Sequence, residues 1–265
     1  MPEGHTVHRL AQDLGERFGG HRLSVDSPQG RFAQGAALLD GRTVRGTDAH
    51  GKHLLVDFGA ERLLHVHLGL YGKWAFGAGE PPEPRGAVRL RLSGEPGWAE
   101  LRGPTACEVL TADGAAALHA RLGQDPLRAD ADPGRAFEVV RRSRVAVGAL
   151  LMQQEVVAGI GAIYRAEVLF RCGVEPHRPG REVTAAEWDA LWEDTVRLMR
   201  AGVRANRIVT TRPAHRAHPR GEPPEEDRFY VYRRGGQPCR LCGTPVRHEQ
   251  MVARHLFWCP TCQPS

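Results

Sequence analysis

Residues 238–263 read PCRLCGTPVRHEQMVARHLFWCPTCQ. Two Cys-x2-Cys pairs, Cys239/Cys242 and Cys259/Cys262, stand 16 residues apart. That spacing lets four thiolates meet on one tetrahedral Zn²⁺. The stretch between the pairs, VRHEQMVARHLFW, has strand character and predicts a β-hairpin finger. With four thiolate ligands no position stays open for a catalytic water, so one structural zinc per chain is expected. Between residues 228 and 262 the arginines 228, 233, 234, 240, 247 and 254 are opposed by Glu249 alone. A hairpin this basic suits phosphate binding, although a solvated basic surface has the same composition.

The rest of the chain fits a polyanionic partner. Its 265 residues carry a net charge of +5 with a pI near 9.1, almost all of it from arginine. No apolar run approaches membrane-spanning length, and the first residues are too polar for a signal peptide. The default setting is then the cytoplasm, and in that reducing compartment clustered cysteines point to metal rather than disulfides. Cys107 and Cys172 stand alone and read as buried small residues.

Upstream, residues 3–18 show helical periodicity, with Val7, Leu10, Ala11, Leu14 and Phe18 on one face. A β-rich stretch follows. LLVDF (54–58) and LLHVHL (63–68) flank a turn, VRLRL (88–92) alternates strictly, and WAELR (98–102) follows it. Residues 113–122 look helical. QDPLRADADPG (124–134) has no periodicity and two prolines, which marks a linker. Helices are expected at 137–143, 147–157, 163–173 and 184–202, the last opened by a Thr184–Glu187 capping box. Residues 210–227 carry almost nothing apolar and predict a mobile loop, and YVYRR (230–234) predicts a strand. The expected organisation is α+β: an N-terminal domain over 1–123, a linker over 124–134, a helical domain over 135–227 and the finger over 228–265.

Two further motifs carry chemistry. The chain opens MPEGHTVHR. Methionine is commonly trimmed before a small residue, which would leave Pro2 as a free secondary amine beside the Glu3 carboxylate. That pair is either a nucleophile with its acid/base partner or an ordinary helix start. In the middle, VVAGIGAIY (156–164) joins two apolar helices, with Gly159 and Gly161 permitting positive φ. The backbone N–H groups at the start of the following helix can bind phosphate without a charged side chain.

In this order, the three motifs resemble the formamidopyrimidine-DNA glycosylase/endonuclease VIII family over essentially the whole chain, and most closely its actinobacterial endonuclease VIII branch. LLMQQEVVAGIGAIYRAEVLF resembles the family's helix–two-turn–helix, and the cysteine module its zinc finger. The resemblance implies an N-terminal β-sandwich flanked by helices, a helix–two-turn–helix domain and a zinc-finger β-hairpin, with duplex DNA in the cleft between the lobes. It implies a monomeric base-excision-repair enzyme that removes oxidised bases, oxidised pyrimidines in particular, from damaged DNA and cuts the strand by β,δ-elimination.

The same resemblance implies roles for single residues. Pro2 would attack C1′ and form an iminium, Glu3 would protonate the opening deoxyribose, and Lys52 in HGKHLL would serve the scissile phosphates. Leu70 and Tyr71 in HLGLYGKW would fill the gap left by the extruded nucleotide; otherwise they are a buried pair at a strand end. Gly161 and Ala162 would lie against DNA in the two-turn motif, and Arg254 would grip phosphate from the finger tip. Three positions depart from the family pattern. Thr6 replaces a common glutamate, Gln153 a common acid, and Ala162 an asparagine that touches phosphate. Gln153 and Gln154 are the side chains that could replace that asparagine's contact. Two alternatives remain open: a glycosylase for 8-oxoguanine and formamidopyrimidines, and a zinc-dependent DNA-binding protein without catalysis.

Overall fold

The computed structural model describes residues 2–264. The chain divides into two compact units, one up to Arg121 and one from Leu122.

The first unit begins with α1 (Gly4–Phe18), followed by β1 (Arg22–Asp26), α2 (Ala33–Leu39), β2 (Arg42–Thr43), β3 (Gly46–His50), β4 (His53–Asp57), β5 (Leu63–His67), β6 (Lys73–Gly77), β7 (Val88–Gly94), β8 (Gly97–Arg102), β9 (Ala106–Leu110) and α3 (Ala112–Ala120). The strands form a five-stranded sheet in the order β2-β1-β7-β8-β6 and a four-stranded sheet in the order β3-β4-β5-β9. All strand pairs are antiparallel. Alternating apolar residues build one core from both sheets: Leu54, Val56, Leu64 and Val66 meet Leu90, Leu92, Ala99 and Leu101, with Val7, Leu14 and Phe18 of α1 packed in. The outer face of β4 is partly covered by α3, through Leu55, Ala115 and Leu118.

α1 lies along β3 and β4. The Thr47 hydroxyl donates to the Ala11 carbonyl at 2.7 Å, and Gly20 N donates to Val44 O at 2.8 Å. Later residues of α1 therefore lie beside earlier residues of the β2–β3 segment. The helix runs antiparallel to β3, and its N-terminus lies toward the β3–β4 turn.

The second unit contains α4 (Pro133–Val140), α5 (Val147–Leu150), α6 (Ala162–Arg171), α7 (Ala185–Ala205), β10 (Arg247–Met251) and β11 (Arg254–Trp258). α7 carries the expected capping box: the Thr184 hydroxyl accepts from Glu187 N, and the Glu187 carboxylate accepts from Thr184 N at 2.8 Å. It ends at Asn206 in the left-handed region.

Several local expectations change. The helix foreseen over 147–157 stops at Leu150 and gives way to turns. The Gln154 side chain causes this, because its amide nitrogen donates to the carbonyls of Met152 and Ile160 while its oxygen accepts from Gly159 N. Residues 124–134 are no free linker. Ala158 N donates to Gln124 O, Asp125 is buried, and the Asp132 carboxylate caps α4.

The loop over 210–227 is pinned at both ends. The Thr211 hydroxyl donates to Asp227 O at 2.6 Å, and the buried Asp227 carboxylate pairs with Arg240 at 3.2 Å. YVYRR forms no strand, because the N–H groups of Tyr230, Val231 and Tyr232 all donate to the Glu167 carboxylate at 2.8 Å.

Glu167, fully buried on α6, also accepts from the Thr210 hydroxyl. Glu167→Ala would leave three backbone donors without their acceptor and should cost about 3 kcal/mol or more. Thermal unfolding should show an earlier transition for the second unit, with the first unit's transition in place. An unchanged melting profile would contradict this reading.

Candidate DNA-processing site

Pro2 and Glu3 precede α1 rather than lying in it. Glu3 is the extended N-cap, yet its carboxylate makes no cap hydrogen bond, and its side chain is fully buried. PE thus stands at a helix start, as one reading of the motif expects, and the full burial of the Glu3 carboxylate is the feature that a helix start alone does not require. His5, the second residue of α1, is pushed by burial to a pKa of about 4 and stays neutral. Met1, whose removal the amine chemistry requires, lies outside the described residues.

Lys52 occupies the two-residue turn between β3 and β4, where His50 pairs with His53. The antiparallel course of α1 brings Pro2 and Glu3 toward this same end of the four-stranded sheet. β5 ends there too, since His53 pairs with His67.

The chain then turns through Gly69 and Gly72. Gly69 has φ +65 and sits against Thr105, and a side chain at Gly72 would strike the Leu68 carbonyl. Between them Leu70 and Tyr71 are pushed outward, 47% and 84% exposed. The buried-pair alternative fails. Two large apolar side chains held in water by a glycine-framed turn suit a wedge for a base stack.

Of the two glycines in the VVAGIGAIY turn, Gly159 has positive φ, +93. Gly161 is the extended N-cap of α6, with φ −125. Ala162 opens α6 and is 3% exposed, so its methyl group packs inward. Gln154 is already committed to the turn's backbone and cannot supply the missing asparagine contact.

Arg254 is exposed at the start of β11. Its register partner Met251 closes a two-residue turn in which Val252 and Ala253 both have φ 53. Beneath it, the buried guanidinium of Arg165 on α6 donates to Met251 O at 3.2 Å and His255 O at 2.8 Å. Sequence reasoning missed Arg165 and Glu167. Their signal was present as two charges inside the apolar run IYRAEVLF.

The four cysteine sulfurs lie within 4.8 Å of one another. Cys239 and Cys262 are 3.8 Å apart and Cys242 and Cys259 are 3.5 Å apart. Zn–S bonds of about 2.3 Å in a tetrahedron place sulfurs a little under about 4 Å apart, so the set fits zinc. Hydrogen bonds from Thr244 lower the Cys242 thiol to a pKa of about 6, while burial raises Cys259 and Cys262.

Three family models match the chain. They are the formamidopyrimidine-DNA glycosylase N-terminal domain over residues 1–103, the H2TH domain of the same glycosylases over 122–213, and a zinc finger found in FPG and IleRS over 236–264. Endonuclease 8 1 of Mycobacterium tuberculosis is 48% identical, covering 99% of this chain and all of the relative. A formamidopyrimidine-DNA glycosylase of Roseiflexus is 31% identical over 99% of this chain and the whole of that protein. Lactococcus lactis formamidopyrimidine-DNA glycosylase, solved on DNA containing an abasic site, shares the fold at a TM-score of 0.82 with 22% identity. That match covers 99% of this chain and 100% of the solved one. No helix of the described residues is long and apolar enough to cross a membrane.

Metal analysis should find one zinc per chain. Zinc must displace protons from the raised thiols, so its affinity should fall as pH falls. Cys242→Ser should lose the metal. A zinc-free protein, or metal retention indifferent to acid, would overturn the assignment.

Proposed function

Because the chain belongs to the formamidopyrimidine-DNA glycosylase/endonuclease VIII family, we propose that it excises oxidised pyrimidines from damaged DNA and then cuts the strand at the abasic site, acting as a monomer. One observation carries the reading. Pro2, Glu3, Lys52 and the exposed Leu70–Tyr71 pair all gather at one end of the four-stranded sheet.

With Met1 removed, the Pro2 nitrogen attacks C1′ and the N-glycosidic bond breaks, its electron pair leaving with the base. The sugar ring opens as Glu3 delivers a proton to O4′. A secondary amine gives an iminium that carries its charge without an N–H to lose. That charge acidifies C2′–H, so loss of this proton expels the 3′ phosphate, and a second elimination expels the 5′ phosphate. Lys52 stabilises charge on these phosphates as they leave. Leu70 and Tyr71 fill the space of the extruded nucleotide. The α6 N-terminus at Gly161–Ala162 and the finger's Arg254 bind backbone phosphates.

The amine inventory supports Pro2. Of the 36 basic residues only Lys52 and Lys73 are lysines. Few other groups in the chain can form a Schiff base. The pyrimidine preference rests on the Leu70–Tyr71 wedge and on the higher identity to an endonuclease 8 than to a formamidopyrimidine-DNA glycosylase. A cytoplasmic, nucleoid-associated setting follows from a DNA substrate.

Sodium borohydride should trap a covalent adduct on duplexes carrying an oxidised pyrimidine, and trap 8-oxoguanine duplexes more slowly. Pro2→Gly, which leaves a primary amine, should trap weakly, and acetylation of the N-terminus should abolish trapping. Adduct that survives acetylation would move the nucleophile to a lysine. Faster trapping on 8-oxoguanine would reverse the lesion preference.

A further inference from the structure

The turn that carries Lys52 is flanked by histidines on both arms, and each is hydrogen-bonded to another histidine. On the β3 arm, His50 Nδ1 lies 2.8 Å from His119 Nδ1 at the end of α3. On the β4 arm, His53 Nδ1 lies 2.8 Å from His65 Nε2, and His65 Nδ1 lies 2.9 Å from the Glu108 carboxylate. The strand register explains the line. His65 pairs directly with Glu108 on β9, and His53 pairs with His67 on β5. Side chains of one parity therefore form a row across the outer face of the sheet. The imidazoles of His53 and His65 are stacked at 5.1 Å, and those of His53 and His67 lie 4.9 Å apart.

The far end of this chain fixes one proton. A carboxylate only accepts, so His65 Nδ1 must carry the proton. When that ring carries one proton only, its Nε2 holds a lone pair. His53 Nδ1 must donate to it, which leaves the lone pair of His53 at Nε2. This is how a carboxylate orients an imidazole that in turn orients a functional group.

We propose that the Glu108–His65–His53 relay, opposed across the turn by the His50–His119 pair, positions Lys52 for its work on the scissile phosphates. The inference rests on the role given to Lys52 above. His53 and His65 are positioning residues.

The relay needs neutral rings, because two protonated imidazoles at this distance repel. Burial, with His67, His65, His50 and Arg121 adding positive field, pushes His53 down to a pKa of about 3. Burial and then Lys52 lower His67. Neutral His53 and His67 add no positive charge beside the Lys52 ammonium. Glu108, over half exposed, bonds to His65, and Asp48 on β3 lies 3.9 Å from His119 Nε2.

Two measurements on the full chain test this. Nitrogen-15 NMR of the DNA-free protein at neutral pH should show His53 protonated at Nδ1 and bare at Nε2; the opposite tautomer would overturn the relay. Single-turnover cleavage of an abasic-site duplex forms the second arm. His65→Val should slow cleavage about tenfold while duplex affinity changes less than about twofold, because the lysine is misplaced but the binding surface is kept. His65→Gln can accept from His53 and donate to Glu108, and it should restore the rate to within about threefold of wild type. Cleavage by His65→Val at the wild-type rate would overturn the positioning role, as would equal losses in Val and Gln variants. A wild-type protein that cuts nothing would count against the proposed function and not against the relay, whose polarity the spectrum decides alone.

Discussion

Two opposite charges buried on one helix hold the second unit together. Arg165 and Glu167 are both fully buried on α6, yet each is directed at backbone rather than at a partner side chain alone. Glu167 gathers the N–H groups of residues 230–232, and Arg165 gathers the carbonyls of Met251 and His255. Buried charges are tolerated only when their hydrogen-bonding capacity is met, which makes such contacts selective in geometry. The helix that closes the two-turn motif is thereby tied to both the stem and the hairpin of the finger. The two-turn motif and the finger hairpin, about ninety residues apart in sequence, thus share one support, and Arg254 starts the strand of the hairpin that Arg165 fastens.

The first unit solves its positioning problem by register. Antiparallel pairing aligns the β3–β4 turn with the end of β5, and the course of α1 delivers the N-terminus to the same edge. No long loop is needed to bring Pro2, Glu3, Lys52 and the Leu70–Tyr71 pair to one end of the sheet. Reacting groups held on rigid elements keep the alignment on which such chemistry depends.

The sheets, α1, α7 and the cysteine finger were legible because each rests on a local pattern: strict alternation, a helical apolar stripe, a capping box, or paired Cys-x2-Cys. The elements misread were those where a side chain competes with the ladder. Gln154 ended a helix that apolar periodicity favoured, and Glu167 consumed the donors of YVYRR that β-propensity assigned to a strand. Asp227 fastened a segment whose polarity suggested freedom. At the site, Pro2–Glu3 and Lys52 were visible only as motifs. The histidine row beside them was not, because residues 50, 53, 65, 108 and 119 become neighbours only through strand pairing and the return of α3.

The central claim is that the terminal amine of Pro2 is the nucleophile. The chain offers only two lysines as competing side-chain amines, so peptide mapping of the borohydride-trapped adduct by mass spectrometry decides it directly. The deoxyribose remnant should lie on an N-terminal peptide that begins at Pro2 and lacks Met1. A remnant on the peptide containing Lys52 or Lys73, or on a chain that still begins with methionine, would contradict the account.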